Sequence, residues 1–187
     1  MSGRKNSRTK GHTFERSVCR DLREWLGREW LVQRNLDDDQ TGARGRAGDV
    51  LVSGGPHRWP FCIECKAGYR VRSSHLWKGS KTLEAMWDQT TSQAEAVSLE
   101  PLLVLKPEET GHPVLVVMGV RARSLLRLGG PCMYTIIDGR SVAVCLWSEL
   151  LALSSFALLE LVLSLGLSAP RANELLENVA SDFMAGG

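Results

Sequence analysis

Three ionisable side chains sit inside two short apolar runs. Asp49 opens Val50-Leu51-Val52, while Glu64 and Lys66 interrupt Phe61-Cys62-Ile63-Glu64-Cys65-Lys66. A buried charge is costly unless it is paired or bound to a metal. If both runs are strands, Glu64 and Lys66 point to one face and Ile63 and Cys65 to the other. A neighbouring strand that sets Asp49 beside Glu64 brings two carboxylates and an ammonium together. Such carboxylates repel, and one normally keeps a proton. A divalent cation resolves the conflict, and oxygen-only ligands suit a hard ion, Mg²⁺ or Mn²⁺. That ion polarises a phosphoryl oxygen and acidifies a bound water. Lys66 would lie next to the nucleophile, orienting the water or offsetting charge on the phosphate. The chemistry is phosphodiester hydrolysis. The bland rival is a Glu–Lys pair on the solvent face of an edge strand, and Asp-x14-Glu-x-Lys alone is a weak signal.

Neighbouring residues add weight. Glu15 lies one position from Phe14, about 100° round a helix, at the border of its buried face. From there it can reach a metal at the sheet edge, or it can simply favour the helix dipole. Arg16, Arg34, Arg44 and Arg46 cluster in sequence around the same region, and arginine suits phosphate oxygens. Gln89 and Gln93, four apart, can share a helix face turned to the site. Cys62 and Cys65 fall on opposite strand faces, so the CxxC does not read as a zinc or redox motif. Asp37-Asp38-Asp39 lacks calcium-loop spacing. The four histidines are scattered. The six tryptophans read as core or interface, with Trp77, in a polar basic stretch, the best base-stacking candidate.

The elements that must position these groups follow from periodicity. Phe14, Val18, Leu22 and Trp25 predict a helix over 12–26 that Gly27 ends. Strands follow at 30–34, 49–53 and 61–66, separated by a Gly-rich loop over 37–48 and a turn at Gly54-Gly55-Pro56. A helix over 82–98 buries Leu83, Met86, Trp87, Thr90 and Ala94. Strands 102–105 and 114–118 complete an order α-β-β-β-α-β-β. Asp138-Gly139 joins a hairpin of 133–137 and 142–146. One apolar helix over 148–165 reads as buried or self-associating, with Glu160 near its middle arguing against a membrane span. Ser168 and Pro170 open a last helix.

The chain has 187 residues, 43% hydrophobic and 24% charged, which suits one compact soluble domain with an extension. Net charge is +2, but residues 1–48 carry 11 basic against 7 acidic side chains, and 149–187 carry 1 against 5. The basic end is expected to be the working end. Five irregularly spaced cysteines argue against a disulfide framework and for a reducing, cytoplasmic location. The basic start, Met1-Ser-Gly-Arg-Lys-Asn-Ser-Arg-Thr-Lys10, has no apolar stretch after it and reads as a flexible arm, not a signal peptide.

"KGHTFER" (10–16), "VQRN" (32–35), "GDVLV" (48–52), "CIECK" (62–66) and "HPVLVVM" (112–118) together resemble the archaeal-type Holliday junction resolvases of the PD-(D/E)XK nuclease superfamily. The resemblance spans about residues 8–120. It implies an α/β fold with a central mixed β-sheet flanked by helices, followed here by a C-terminal hairpin and two-helix extension. It implies a nuclease domain over 11–120, behind the arm 1–10, with 121–187 packing on the core or mediating association. Glu15, Asp49 and Glu64 would match the metal-linked acids, with the Cys65 carbonyl as a further ligand, and Lys66 the catalytic lysine. Arg16 and Arg34 would match basic residues near the scissile phosphate, and Lys10, Arg44, Arg46 and Gln93 are further expected DNA contacts from their charge or place in the chain. The expected protein is a Mg²⁺-dependent homodimer, with Mn²⁺ able to substitute, that cuts symmetric strands of branched four-way DNA and leaves 5′-phosphates. No membrane and no small-molecule cofactor are expected. Three other readings stay open: the same nuclease fold acting on a flap, an end or a restriction site; a non-catalytic DNA-binding module; and an assembly protein working through helix 148–165.

Overall fold

The computed structural model describes residues 3–36, 48–67, 76, 80–108 and 111–165. Its centre is a seven-stranded mixed sheet in the order β1-β2-β3-β4-β5-β7-β6. The strands are β1 (Leu31–Arg34), β2 (Val50–Ser53), β3 (Phe61–Ala67), β4 (Glu100–Lys106), β5 (Leu115–Gly119), β6 (Cys132–Ile137) and β7 (Arg140–Leu146). Only β3 and β4 run parallel, the other neighbours being antiparallel. A parallel pair needs a crossover, and α2 (Lys81–Ala96) supplies it.

The two faces of the sheet are covered by different helices. Odd-numbered residues of β3, Phe61, Ile63, Cys65 and Ala67, join a core with Phe14, Val18, Cys19 and Leu22 of α1 (Gly3–Leu26). On the opposite face Leu83, Met86 and Trp87 of α2 pack on Leu103, Leu105, Val117, Val142 and Val144. Every residue of β3 is buried. The five tryptophans among the described residues lie in these cores or at their margins; Trp77 lies outside the described residues.

Local signals act where the sequence places them. Ser80 caps α2, its side chain accepting from Leu83 N at 3.1 Å. Asp138 and Gly139 adopt φ of 49° and 72°, the doubly left-handed turn that matches strand twist. Gly27, at φ 76°, closes α1.

Three expectations change. Helix α1 begins at Gly3 rather than at 12, so part of the expected arm is helical. A seven-residue helix, α3 (Val120–Leu126), was not foreseen; it buries Ala122 and Leu126. The single helix expected over 148–165 is two, α4 (Trp147–Leu151) and α5 (Ser155–Ser164). The Trp25 indole donates to the Leu153 carbonyl at 2.8 Å, between the two helices. The helix expected after Ser168 lies outside the described residues, and no described helix is long and apolar enough to cross a membrane.

Gly48 carries two constraints at once. Its φ is 84°, and a Cβ there would stand 2.5 Å from the Ile63 carbonyl oxygen and 3.2 Å from Cys62 Sγ. Gly27 has a similar φ but open space around it. Gly48→Ala should therefore cost at least about 2 kcal/mol and Gly27→Ala about 1 kcal/mol, read by urea unfolding. Equal losses would mean that the approach to β3 is not the constraint.

Candidate functional site

The site is built on the two strands that the opening acids share. Gly48 lets the chain touch β3, and Asp49 N then donates to the Ile63 carbonyl at 2.7 Å. From the other side Asn35 N donates to the Asp49 carbonyl at 2.8 Å, and the Asn35 carboxamide donates to the Gly48 carbonyl at 2.9 Å. Asp49 is thus fixed through its backbone before its side chain does anything. Its Oδ2 accepts from Cys65 N at 2.7 Å, which directs the carboxylate at the strand that carries Glu64.

Glu64 and Lys66 point to the α2 face, as alternation requires. They stand beside Leu103 and Leu105 of β4, at 2% and 8% exposure. The Lys66 ammonium donates to Glu64 Oε1 at 2.5 Å and to Gln89 Oε1 at 3.1 Å, and Gln89 Nε2 donates to Glu64 Oε1 at 2.9 Å. The three side chains close a ring that leaves Glu64 Oε2 buried with no hydrogen-bond partner. A buried carboxylate oxygen without a donor is expensive, so that atom suits an electropositive partner.

Asp49 shows the same tension. Its carboxyl is pushed up to about 6, first by burial and then by the Glu64 charge, with a smaller push from Glu15. The Cys65 N–H and the Lys66 charge pull the other way. Burial and the same carboxylates push the Cys62 thiol up to about 12 and the Cys65 thiol well above its ordinary value. The Cys65 side chain joins the α1-side core, on the strand face opposite Glu64, so its thiol is not aimed at the Glu64–Lys66 pair.

The remaining sequence candidates fall out as follows. Glu15 is held by Arg34, whose Nε donates to Glu15 Oε2 at 2.7 Å. Both are largely buried, at 13% and 16% side-chain exposure. Glu15 reaches Asp49 electrostatically, but the three acids do not gather as a triad. Among the described residues no group of three or more His, Cys, Asp or Glu side chains forms a metal cluster. Lys10 and Arg16 are exposed on α1. Arg44 and Arg46 lie outside the described residues. The glutamine on the Glu64–Lys66 pair is Gln89; Gln93, one turn on, has a buried Oε1 with no partner. The strap that Asn35 makes on Gly48-Asp49 has no signal in the sequence beyond a polar residue at a strand end. The donor set fits a hard cation: carboxylate oxygens only, one of them orphaned, in a site with excess negative charge.

Folding raises the proton affinity of Asp49. Its contribution is therefore present below the ordinary value of 3.8 and lost as pH rises through about 6. The interval corresponds to at most roughly 3 kcal/mol. In metal-free buffer Asp49→Asn should gain on the order of 1–3 kcal/mol over wild type at pH 7.5 and almost nothing at pH 4. Urea unfolding at both pH values checks this, and a pH-independent gain would remove the charge argument.

Comparison with known proteins gives the chain a family. Residues 6–136 match the family described as "Phage putative PDDEXK endonuclease". No curated protein matches the chain. Among solved structures, Hjc from Archaeoglobus fulgidus, a Holliday junction resolvase from an archaeal hyperthermophile, is similar at 13% identity and a TM-score of 0.35, over 80% of this chain and 99% of that one. Matched over well more than half its length, the chain belongs to the phage PD-(D/E)XK endonuclease family.

Proposed function

We propose that this endonuclease hydrolyses phosphodiesters in branched DNA with the help of Mg²⁺, cutting four-way junctions as a homodimer. The observation that carries the hydrolytic part is the buried Glu64–Lys66–Gln89 ring beside a carboxyl raised to about 6, with Glu64 Oε2 left without a donor. Junction choice and paired cutting are supported by the sequence resemblance over "KGHTFER" and "VQRN".

Asp49, Glu64 and the Cys65 carbonyl would hold the cation. Bound there, a hard divalent ion supplies Lewis acidity toward the phosphate and lowers the pKa of water. Gln89 holds the Lys66 ammonium through its carboxamide oxygen, so the charge stays aimed rather than swinging on a four-carbon stem. Lys66 offsets negative charge that grows on the phosphate. The Arg34 fork keeps Glu15 fixed at the border of the site, where its charge adds to the field on Asp49. Exposed Lys10 and Arg16 on α1 suit backbone phosphates.

The test is a fixed four-way junction incubated with Mg²⁺ or with EDTA, nicks mapped on each strand. Paired symmetric nicks that need the metal are expected. Lys66→Ala should lower the cleavage rate about 10²-fold or more with junction affinity retained. Gln89→Ala should lower it about 10-fold. Linear duplex cut as readily as the junction would move the substrate to another DNA. Cleavage untouched by Lys66→Ala and by EDTA would remove the mechanism.

A further inference from the structure

Five cysteines gave no disulfide pattern in the sequence, yet the fold sets two of them face to face. Cys132 on β6 and Cys145 on β7 are direct cross-strand partners. Their sulfurs are 2.8 Å apart and both thiols are free. Both line a cavity of about 340 Å³ with Pro131, His112 and Leu115. Cys145 is buried at 2% exposure, while Cys132 is only partly covered.

A second observation points at the same spot. Arg123 of α3 donates through Nη2 to the Leu128 carbonyl at 2.7 Å, but its Nε is buried with no hydrogen-bond partner. The guanidinium lies over the Tyr134 ring at 5.8 Å and acts on Cys145, where it opposes burial. A sulfur anion forming at Cys145 would meet this guanidinium at once, and the charge-assisted contact favours the thiolate. Burial wins in the resting state and pushes the Cys145 thiol up to about 12, so it is a poor first attacker. Cys132, only part-buried, is the more accessible of the two and the thiol an oxidant meets first.

We propose that Cys132 and Cys145 form an oxidisable dithiol, a modification site for small-molecule disulfides at the edge of the sheet remote from the carboxylates. The Cys132 thiolate attacks a disulfide such as oxidised glutathione, forms a mixed disulfide and releases one glutathione thiolate, which takes up the proton that Cys132 lost. Cys145, losing its proton beside Arg123, then attacks the Cys132 sulfur, and the second glutathione leaves as thiolate and is protonated. Two protein thiols are oxidised and one glutathione disulfide is reduced to two thiols. The product joins β6 to β7 where they already pair, so no strand has to move. β4 and β5 separate this pair from β3, so the rate of any DNA cleavage should not change.

The full chain is treated with oxidised glutathione, the remaining thiols are alkylated, and peptides are mapped by mass spectrometry. Expected are a Cys132–Cys145 link formed before any other, three alkylated cysteines, and a rise in Tm of about 5 °C that dithiothreitol reverses. Cys145→Ser should stop at a mixed disulfide on Cys132, and Arg123→Gln should slow closure of the link several-fold without affecting the first step. No 132–145 link in the folded wild-type chain, or a first link that involves Cys19, Cys62 or Cys65, would overturn the proposal. The readout on the wild type needs no variant to fold and no nuclease activity, so it stands or fails separately from the reading of the carboxylate site.

Discussion

One ion pair governs the centre of this molecule. Glu64 and Lys66 stand in an apolar layer, flanked by Leu103 and Leu105 of β4 and roofed by α2. Neither charge can sit there alone, since desolvation of a single ion far exceeds what packing returns. Their contact, the hydrogen bond Gln89 accepts from Lys66 and the one it donates to Glu64 make the arrangement tolerable. The same bonds set the rotation of α2. Leu83, Met86, Trp87, Thr90 and Ala94 must face the sheet while Gln89, at the flank of that stripe, must reach β3. A helix turned by one residue would satisfy neither requirement.

Asp49 is placed by a different device. β2 pairs with β3 at Val50 and Ile63 alone, so the sheet by itself holds Asp49 weakly. Backbone hydrogen bonds from Asn35 and to Ile63, and the bond from Cys65 N to the carboxylate, do the rest. This explains a glycine directly before the acid. A side chain at 48 would push the loop off β3 and carry Asp49 away from Glu64. The close approach that makes the site possible is also what creates its electrostatic strain, since it brings the two carboxylates under one another's influence in a poorly solvated place.

The parts of this arrangement that repeat every two or every four residues were legible in the sequence. Alternation assigned Glu64 and Lys66 to one face and Cys62 and Cys65 to opposite faces, and the α1 and α2 stripes follow their predicted residues. What depends on through-space choice was not. Nothing in the chain says that Arg34, rather than Arg16, closes on Glu15 nineteen residues away. Gln89 and Gln93 share a helix face, and only the crossing of α2 over β3 decides which meets Lys66. Helix α3 spans two turns and buries two residues, too few for a period to show. The break between α4 and α5 involves an indole 128 positions earlier, a contact no local pattern encodes.

The depth of β3 ties these observations together. β2 and β4 cover its edges, α1 and α2 cover its faces, and no residue of it reaches solvent freely. Depth alone accounts for the largest push on the Asp49 carboxyl. A shallower strand would relieve that push and rehydrate Glu64 Oε2, and the reason for a cation at the proposed site would weaken, because water would already satisfy the oxygens. The fold therefore carries a standing instability at its centre, which a bound cation would neutralise. For any cation held here as proposed, stability and affinity would pull in opposite directions: an amide at 49 relieves the carboxylate repulsion of the metal-free chain and removes a charged ligand at the same time.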